Sequence, residues 1–225
     1  MWLVSKRVML LHLLYQPHPP PWLLTRPAVD FTLHCSDKSN TPEIFKHHFY
    51  ELCHEFNNYY RIFTDGCKEG NRVAAAVVHR DNTKCVRLPD TASIFRAELY
   101  AVLLSIDVVR RSKEKNFVIF SDCMSSLLSI SGFNLDSDLV QKFLKDYTIL
   151  STNGKNVILC WIPSHVGILG NEKADAAAAA KSALSLLVTH MKLPATGMYP
   201  RITKLIFDEW QEVWNCSAGN KLHAI

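Results

Sequence analysis

Three short β-type runs crowd into fewer than thirty residues, and they constrain the fold more than any other feature. They are Tyr60–Thr64, Arg72–His79 and Thr83–Leu88, separated by turn-rich joints such as Lys68-Glu69-Gly70-Asn71. Strands this close can only be joined as antiparallel neighbours, so a meander is predicted. The texture then changes. Ala92–Ser112 reads as a long helix, Asn116–Phe120 as a strand, and Cys123–Ile130 and Asp136–Leu150 as helices. Asn156–Ile162 is an apolar strand suited to burial, and Asn171–His190 is an alanine-rich helix with Asn171 at the capping position. Strands linked through helices pair in parallel. The expected fold class is therefore α/β, with a mixed five-stranded sheet flanked by helices.

The flanks have their own character. Five of the ten prolines fall within residues 17–27, which reads as an extended linker. Ile44, Phe45, His48, Phe49, Leu52 and Phe56 recur at helical spacing, so a helix is predicted from Pro42 to about Phe56. Arg201–Trp214 reads as an amphipathic helix with Ile202, Leu205, Ile206, Trp210, Val213 and Trp214 in one stripe. The expected division is a flank over 1–58, a domain over 59–190 and a tail over 191–225.

Composition removes several classes of function. The chain carries 48% hydrophobic and 20% charged residues, the balance of a globular protein. No apolar run reaches membrane-spanning length, so no membrane partner is expected. Lys6 and Arg7 precede the apolar run Val8–Tyr15, but His12 interrupts it and a proline cluster follows where a small-residue cleavage site would be needed. A secretory signal is not expected. The seven cysteines are odd in number and contain no CxxC pair, which disfavours a zinc site or a disulfide scaffold and suits reduced thiols in an intracellular protein. The sequence does not resolve nucleus from cytoplasm.

Four acidic residues carry the chemistry. Asp65 closes the first strand, and Asp122 follows the fourth. If those strands are parallel neighbours, the two carboxylates lie side by side. Glu98 has Ile94, Phe95, Ala101, Val102 and Ser105 as helical neighbours, so it projects from an apolar stripe, where a charge is costly unless it is paired or bound to a cation. Asp175 sits early in the alanine-rich helix, after a glycine-containing loop that carries His165. Singly, each has a plain explanation: a turn aspartate, a helix cap, a dipole partner. Together they would repel unless a cation held them. Carboxylate oxygens suit Mg²⁺ or Mn²⁺, and a pair of such ions activates water and stabilises a leaving oxygen in phosphodiester cleavage. No phosphate-binding P-loop motif is present.

The motifs Ile62-Phe63-Thr64-Asp65-Gly66, Arg96-Ala97-Glu98-Leu99 and Ile119-Phe120-Ser121-Asp122 resemble type 1 ribonuclease H. So does Trp161-Ile162-Pro163-Ser164-His165-Val166-Gly167 with Gly170-Asn171-Glu172-Lys173-Ala174-Asp175. The resemblance covers roughly residues 59–185 and is greatest to the ribonuclease H domains of non-LTR retrotransposon polyproteins. It implies cutting of the RNA strand of an RNA–DNA hybrid with two Mg²⁺ ions, Mn²⁺ being a substitute. By motif, Asp65 would be shared by both ions. Asp175 would serve the side of the attacking water, and Glu98 and Asp122 the leaving side. Glu98 would also accept from a ribose 2′-OH, and His165 would assist proton transfer or product departure. Gly66, Cys67 and Asn171 would contact substrate.

Three departures stand out. Cys67 and Cys123 occupy positions where the family usually has serine. The turn after Lys68 lacks a multi-glycine stretch. No basic protrusion is visible over 131–150. Residues 60–190 hold 16 basic and 13 acidic side chains, and setting the four site carboxylates aside leaves a distinctly basic remainder. Weak, salt-sensitive hybrid binding is expected, with a reverse transcriptase domain, absent from these residues, as the partner supplying grip. Two alternatives follow from the same residues. One is an inactive nucleic-acid-binding remnant of a retroelement. The other is a DNA-cutting transposase of the same fold, disfavoured because Asp175 replaces the terminal glutamate and Glu98 is additional.

Overall fold

A computed structural model describes residues 23–35, 41–183, 191 and 199–216. The expected segments at 1–22, 184–190 and 217–225 lie outside the described residues. Six strands form one sheet: β1 (Ala28–Asp30), β2 (Tyr60–Glu69), β3 (Arg72–His79), β4 (Asn82–Leu88), β5 (Asn116–Ser121) and β6 (Asn156–Trp161). Their spatial order is β1-β6-β5-β2-β3-β4. β2, β3 and β4 pair antiparallel through two-residue loops, as their short spacing requires. β5 lies parallel to β2, and β6 parallel to β5. The sixth strand is an addition to the five expected: β1 pairs parallel to β6 at the edge. Three residues are too few to show an alternation, which is why the sequence does not announce it.

The helices are α1 (Pro42–Glu55), α2 (Ile94–Arg111), α3 (Met124–Ser131), α4 (Asp138–Thr152), α5 (Leu169–Ala183) and α6 (Tyr199–Cys216). Ser93 caps α2 by accepting from the Arg96 N–H at 3.2 Å. Arg96 reaches from α2 to Asp138 at the start of α4 through two parallel bonds of 2.7 and 3.0 Å. This forked pair holds the Asp138 carboxyl below the usual carboxylate range. It pins α2 two residues from Glu98.

Side chains alternate along the strands and so feed two cores, one on each side of the sheet. Ile62, Phe117 and Ile119 join Leu99, Val102, Ile106, Leu127, Phe143 and Leu144 of α2, α3 and α4. On the other side Val118 and Phe120 join Phe49 and Leu52 of α1, together with Leu33, Cys160, Ile162 and Ile168. α5 also covers this second side, packing on β2 and β3. Its alanines allow close approach. At Gly170 an added Cβ would stand 2.5 Å from Cζ of Phe63, so any side chain there would have to displace the Phe63 ring. α6 is different: Ile202, Leu205, Ile206, Phe207, Trp210 and Val213 are all exposed. No helix among the described residues is long and apolar enough to cross a membrane.

Candidate active site

The sheet register brings the first two carboxylates together. β2 and β5 pair from Tyr60↔Phe117 to Thr64↔Ser121. Asp65 and Asp122 are the next residue on each chain, one strand spacing apart. Thr64 ties the strands here by donating its hydroxyl to the Phe120 carbonyl at 3.2 Å. Asp65 does not close its strand, contrary to the sequence reading. β2 continues to Glu69, paired with β3 alone. Asp-Gly reads locally as a turn, but the antiparallel partner carries the chain straight through it.

Glu98 arrives from α2, and Gly66 explains how. The Gly66 N–H donates to Glu98 Oε2 at 3.0 Å. An added Cβ at Gly66 would stand 2.6 Å from the main-chain carbon of Ala97, so the helix can approach the strand this closely only over a glycine. Ligand oxygens of Asp65, Glu98 and Asp122 all lie within 4.8 Å of one another. Asp65 is buried, and Glu98 and Asp122 are partly so.

Crowding and burial disfavour charge. Burial first, then the charges of Asp122 and Asp175, push the Asp65 carboxyl up to about 8. Burial, then Asp65, Cys123 and Asp122, push Glu98 up to about 10. Asp65 Oδ2 is buried without a hydrogen-bond partner. Three converging carboxylates, one with an orphaned oxygen, are a donor set that fits a hard divalent cation.

Asp122 is held from two sides. Asn171 Nδ2 donates to its Oδ2 at 3.1 Å, and the Trp161 indole N–H donates to its carbonyl at 3.0 Å. The sequence puts Asn171 at the helix cap, and the structure does not. α5 begins two residues earlier at Leu169, and Asn171 is 1% exposed, turned inward onto Asp122.

Asp175 stands apart from the other three. Its ligand oxygen groups with His165 and Glu172, again within 4.8 Å, although its charge still reaches Asp65. His165 is exposed, sits at a positive φ of 54°, and brings Nδ1 to 3.9 Å from Asp175 Oδ2. Glu172 is a site residue that the sequence reading overlooks. Its position one helical turn before Asp175 is the available signal. It accepts the Gly167 N–H at 3.2 Å and so closes the loop onto α5. Of the cysteines, the Cys67 thiol is pushed up by burial and faces Ser182. Cys123 precedes α3 with its sulfur 3.1 Å from the Ser126 hydroxyl.

Residues 57–183, more than half of the chain, match the family model described as RNase H. The chain belongs to the RNase H family. The motif-bearing elements β2, α2, β5, β6 and α5 all lie inside the matched RNase H span, whereas β1 and α1 precede it and α6 follows it. Membership supports ribonuclease H-type activity on RNA–DNA hybrids, a family activity that normally uses divalent metal ions.

Proposed function

We propose that this chain is an endonuclease that hydrolyses the RNA strand of RNA–DNA hybrids by a two-metal-ion mechanism, and that it derives from a non-LTR retrotransposon. The observation that carries the chemical part is the convergence of Asp65, Glu98 and Asp122, from two strands and a helix, on one point where burial and crowding drive the Asp65 and Glu98 carboxyls toward the neutral form. The retrotransposon origin rests on the motif resemblance, and an intracellular setting rests on cysteine usage.

On this reading Asp65, Glu98 and Asp122 would hold Mg²⁺, or Mn²⁺ in its place, with Asp175 beside them. Such ions supply charge stabilisation and an activated water for phosphodiester hydrolysis. The chain's own residues do the rest. Asn171 and Trp161 keep Asp122 in one orientation. Gly66 fixes Glu98 through its N–H. His165 faces solvent with Nδ1 toward Asp175, leaving Nε2 to exchange a proton with the reacting groups. Gly66 and Cys67, next to Asp65, would contact the substrate strand, and a reverse transcriptase domain would add grip on the hybrid.

The test is cleavage of end-labelled hybrid, duplex DNA and duplex RNA of one sequence, with Mg²⁺ and with chelator. Selective, Mg²⁺-dependent loss of the RNA strand of the hybrid is expected, and Asp65→Asn removes it. Equal signal from both proteins, or cutting of duplex DNA, contradicts the proposal. Binding of the hybrid without cutting by the unmutated chain makes it a non-catalytic remnant.

A further inference from the structure

The family match begins at residue 57, yet the elements before it are built into the back of the site. β1 pairs with the C-terminal half of β6, with Asp30 opposite Cys160, the residue before Trp161. Directly after β1, the 3₁₀ turn Thr32–Cys35 sets the His34 ring edge-on to the Trp161 indole, centroids 5.4 Å apart. That indole is the group that donates to the Asp122 carbonyl. A chain of direct contacts therefore runs from His34 through Trp161 to the main chain of Asp122.

α1 makes a second connection. Phe49, 5% exposed, packs edge-on against Phe120 at 5.2 Å and near Phe63 at 6.3 Å. Phe63 shares its face of β2 with Asp65, and Phe120 precedes Asp122 by two residues. Phe49, Leu52 and Leu33 also share one core cluster with Ile168, and Val166 packs on that cluster, so α1 and the His165 loop are joined through one core. From outside, Lys46 of α1 approaches the same loop: an added Cβ on Gly167 would stand 3.6 Å from Lys46 Nζ. Pro163 lacks an N–H, and the Gly167 N–H finds its acceptor in the side chain of Glu172.

We propose that residues 28–35 and 41–56 are a brace for the active site: α1 seats the His165 loop, and the β1–His34 segment fixes Trp161 and through it the main chain of Asp122. His34, Phe49 and Lys46 are positioning residues, not catalytic ones. The consequence for catalysis rests on the nuclease reading, whereas the physical bracing does not.

Both parts are tested in the full chain by hydrogen exchange without substrate. Phe49→Ala is compared with Phe143→Ala, an equal truncation in the core on the opposite side of the sheet. Phe49→Ala is expected to speed exchange over 164–168 at least tenfold more than Phe143→Ala does. Equal acceleration by the two variants overturns the brace. His34→Ala changes an exposed side chain and keeps the test open if Phe49→Ala does not fold. The Trp161 indole N–H is expected to exchange at least tenfold faster in it, and an unchanged rate overturns the His34 link. In cleavage assays Phe49→Ala lowers kcat at least tenfold with KM within twofold. A fall through KM alone contradicts a positioning role. An unmutated chain that does not cut hybrid removes the nuclease reading and leaves the exchange result to decide the brace.

Discussion

Two clusters of ligand-bearing side chains lie within electrostatic reach of each other, and they differ in how they are held. Asp65, Glu98 and Asp122 converge from separate elements, largely buried, with two carboxyls driven toward the neutral form. His165, Glu172 and Asp175 come from one loop and the helix that follows it, and they are exposed or half-exposed. Burial explains the contrast. Taking carboxylates out of water is costly, and the fold accepts that cost only where a cation can offset it. The second group meets water, so its charges need no such partner. On the proposed function the inner three would form the metal-binding core with Asp175 beside it, and His165 and Glu172 would serve proton transfer and loop closure.

The largest expected effect comes from breaking the inner group. Asp65→Asn lowers Mg²⁺-dependent hybrid cleavage by about a thousandfold or more, because it removes the central carboxylate. His165→Ala lowers it by only about a hundredfold, the low end of what a positioned proton carrier contributes. Single-turnover rates on one hybrid check both, and a reversed order breaks the comparison.

The second effect is on stability against pH. In the metal-free fold Asp65 stays protonated up to about 8, whereas an unfolded-chain aspartate ionises near 4. Between those values the folded state binds more protons than the unfolded one, so stability falls as pH rises. Melting in chelator is expected to be lower at pH 8 than at pH 5. Asp65→Asn reduces that dependence and leaves the part due to Glu98, and Mg²⁺ raises the melting temperature more at pH 8 than at pH 5. Glu172→Gln leaves all three observations unchanged.

Gly66→Ala sharpens the comparison from the backbone side. The new methyl meets the α2 main chain, and forced overpacking of this kind costs about 1–3 kcal/mol. Chemical denaturation measures it, and a neutral result removes the close approach that delivers Glu98. The smallest effect is electrostatic. Hybrid binding weakens steeply between low and physiological salt, with the same slope in Glu172→Gln, as filter-binding titrations would show.

Much of this site is legible in the amino-acid sequence alone. Asp122 stands just past a strand end and Glu98 and Asp175 in the second turns of their helices, and the meander followed by strands linked through helices fixes which strands neighbour each other. What the sequence hides depends on tertiary packing. β1 has three residues and no periodicity of its own. The continuation of β2 past Asp65-Gly66 is set by pairing with β3, against a local preference for a turn. Asn171 carries the signature of a cap, and its inward turn follows from α5 starting earlier, at Leu169. Nothing in the spacing of Phe49 tells a helix that covers the sheet from one that seats a loop.

The most direct test of the central claim is a Mn²⁺ titration followed by water proton relaxation, run on the unmutated chain, Asp65→Asn and Glu172→Gln at pH 7. The unmutated chain and Glu172→Gln are predicted to bind alike, with Asp65→Asn at least tenfold weaker. Full binding by Asp65→Asn with loss in Glu172→Gln would put the metal in the outer group and contradict the account.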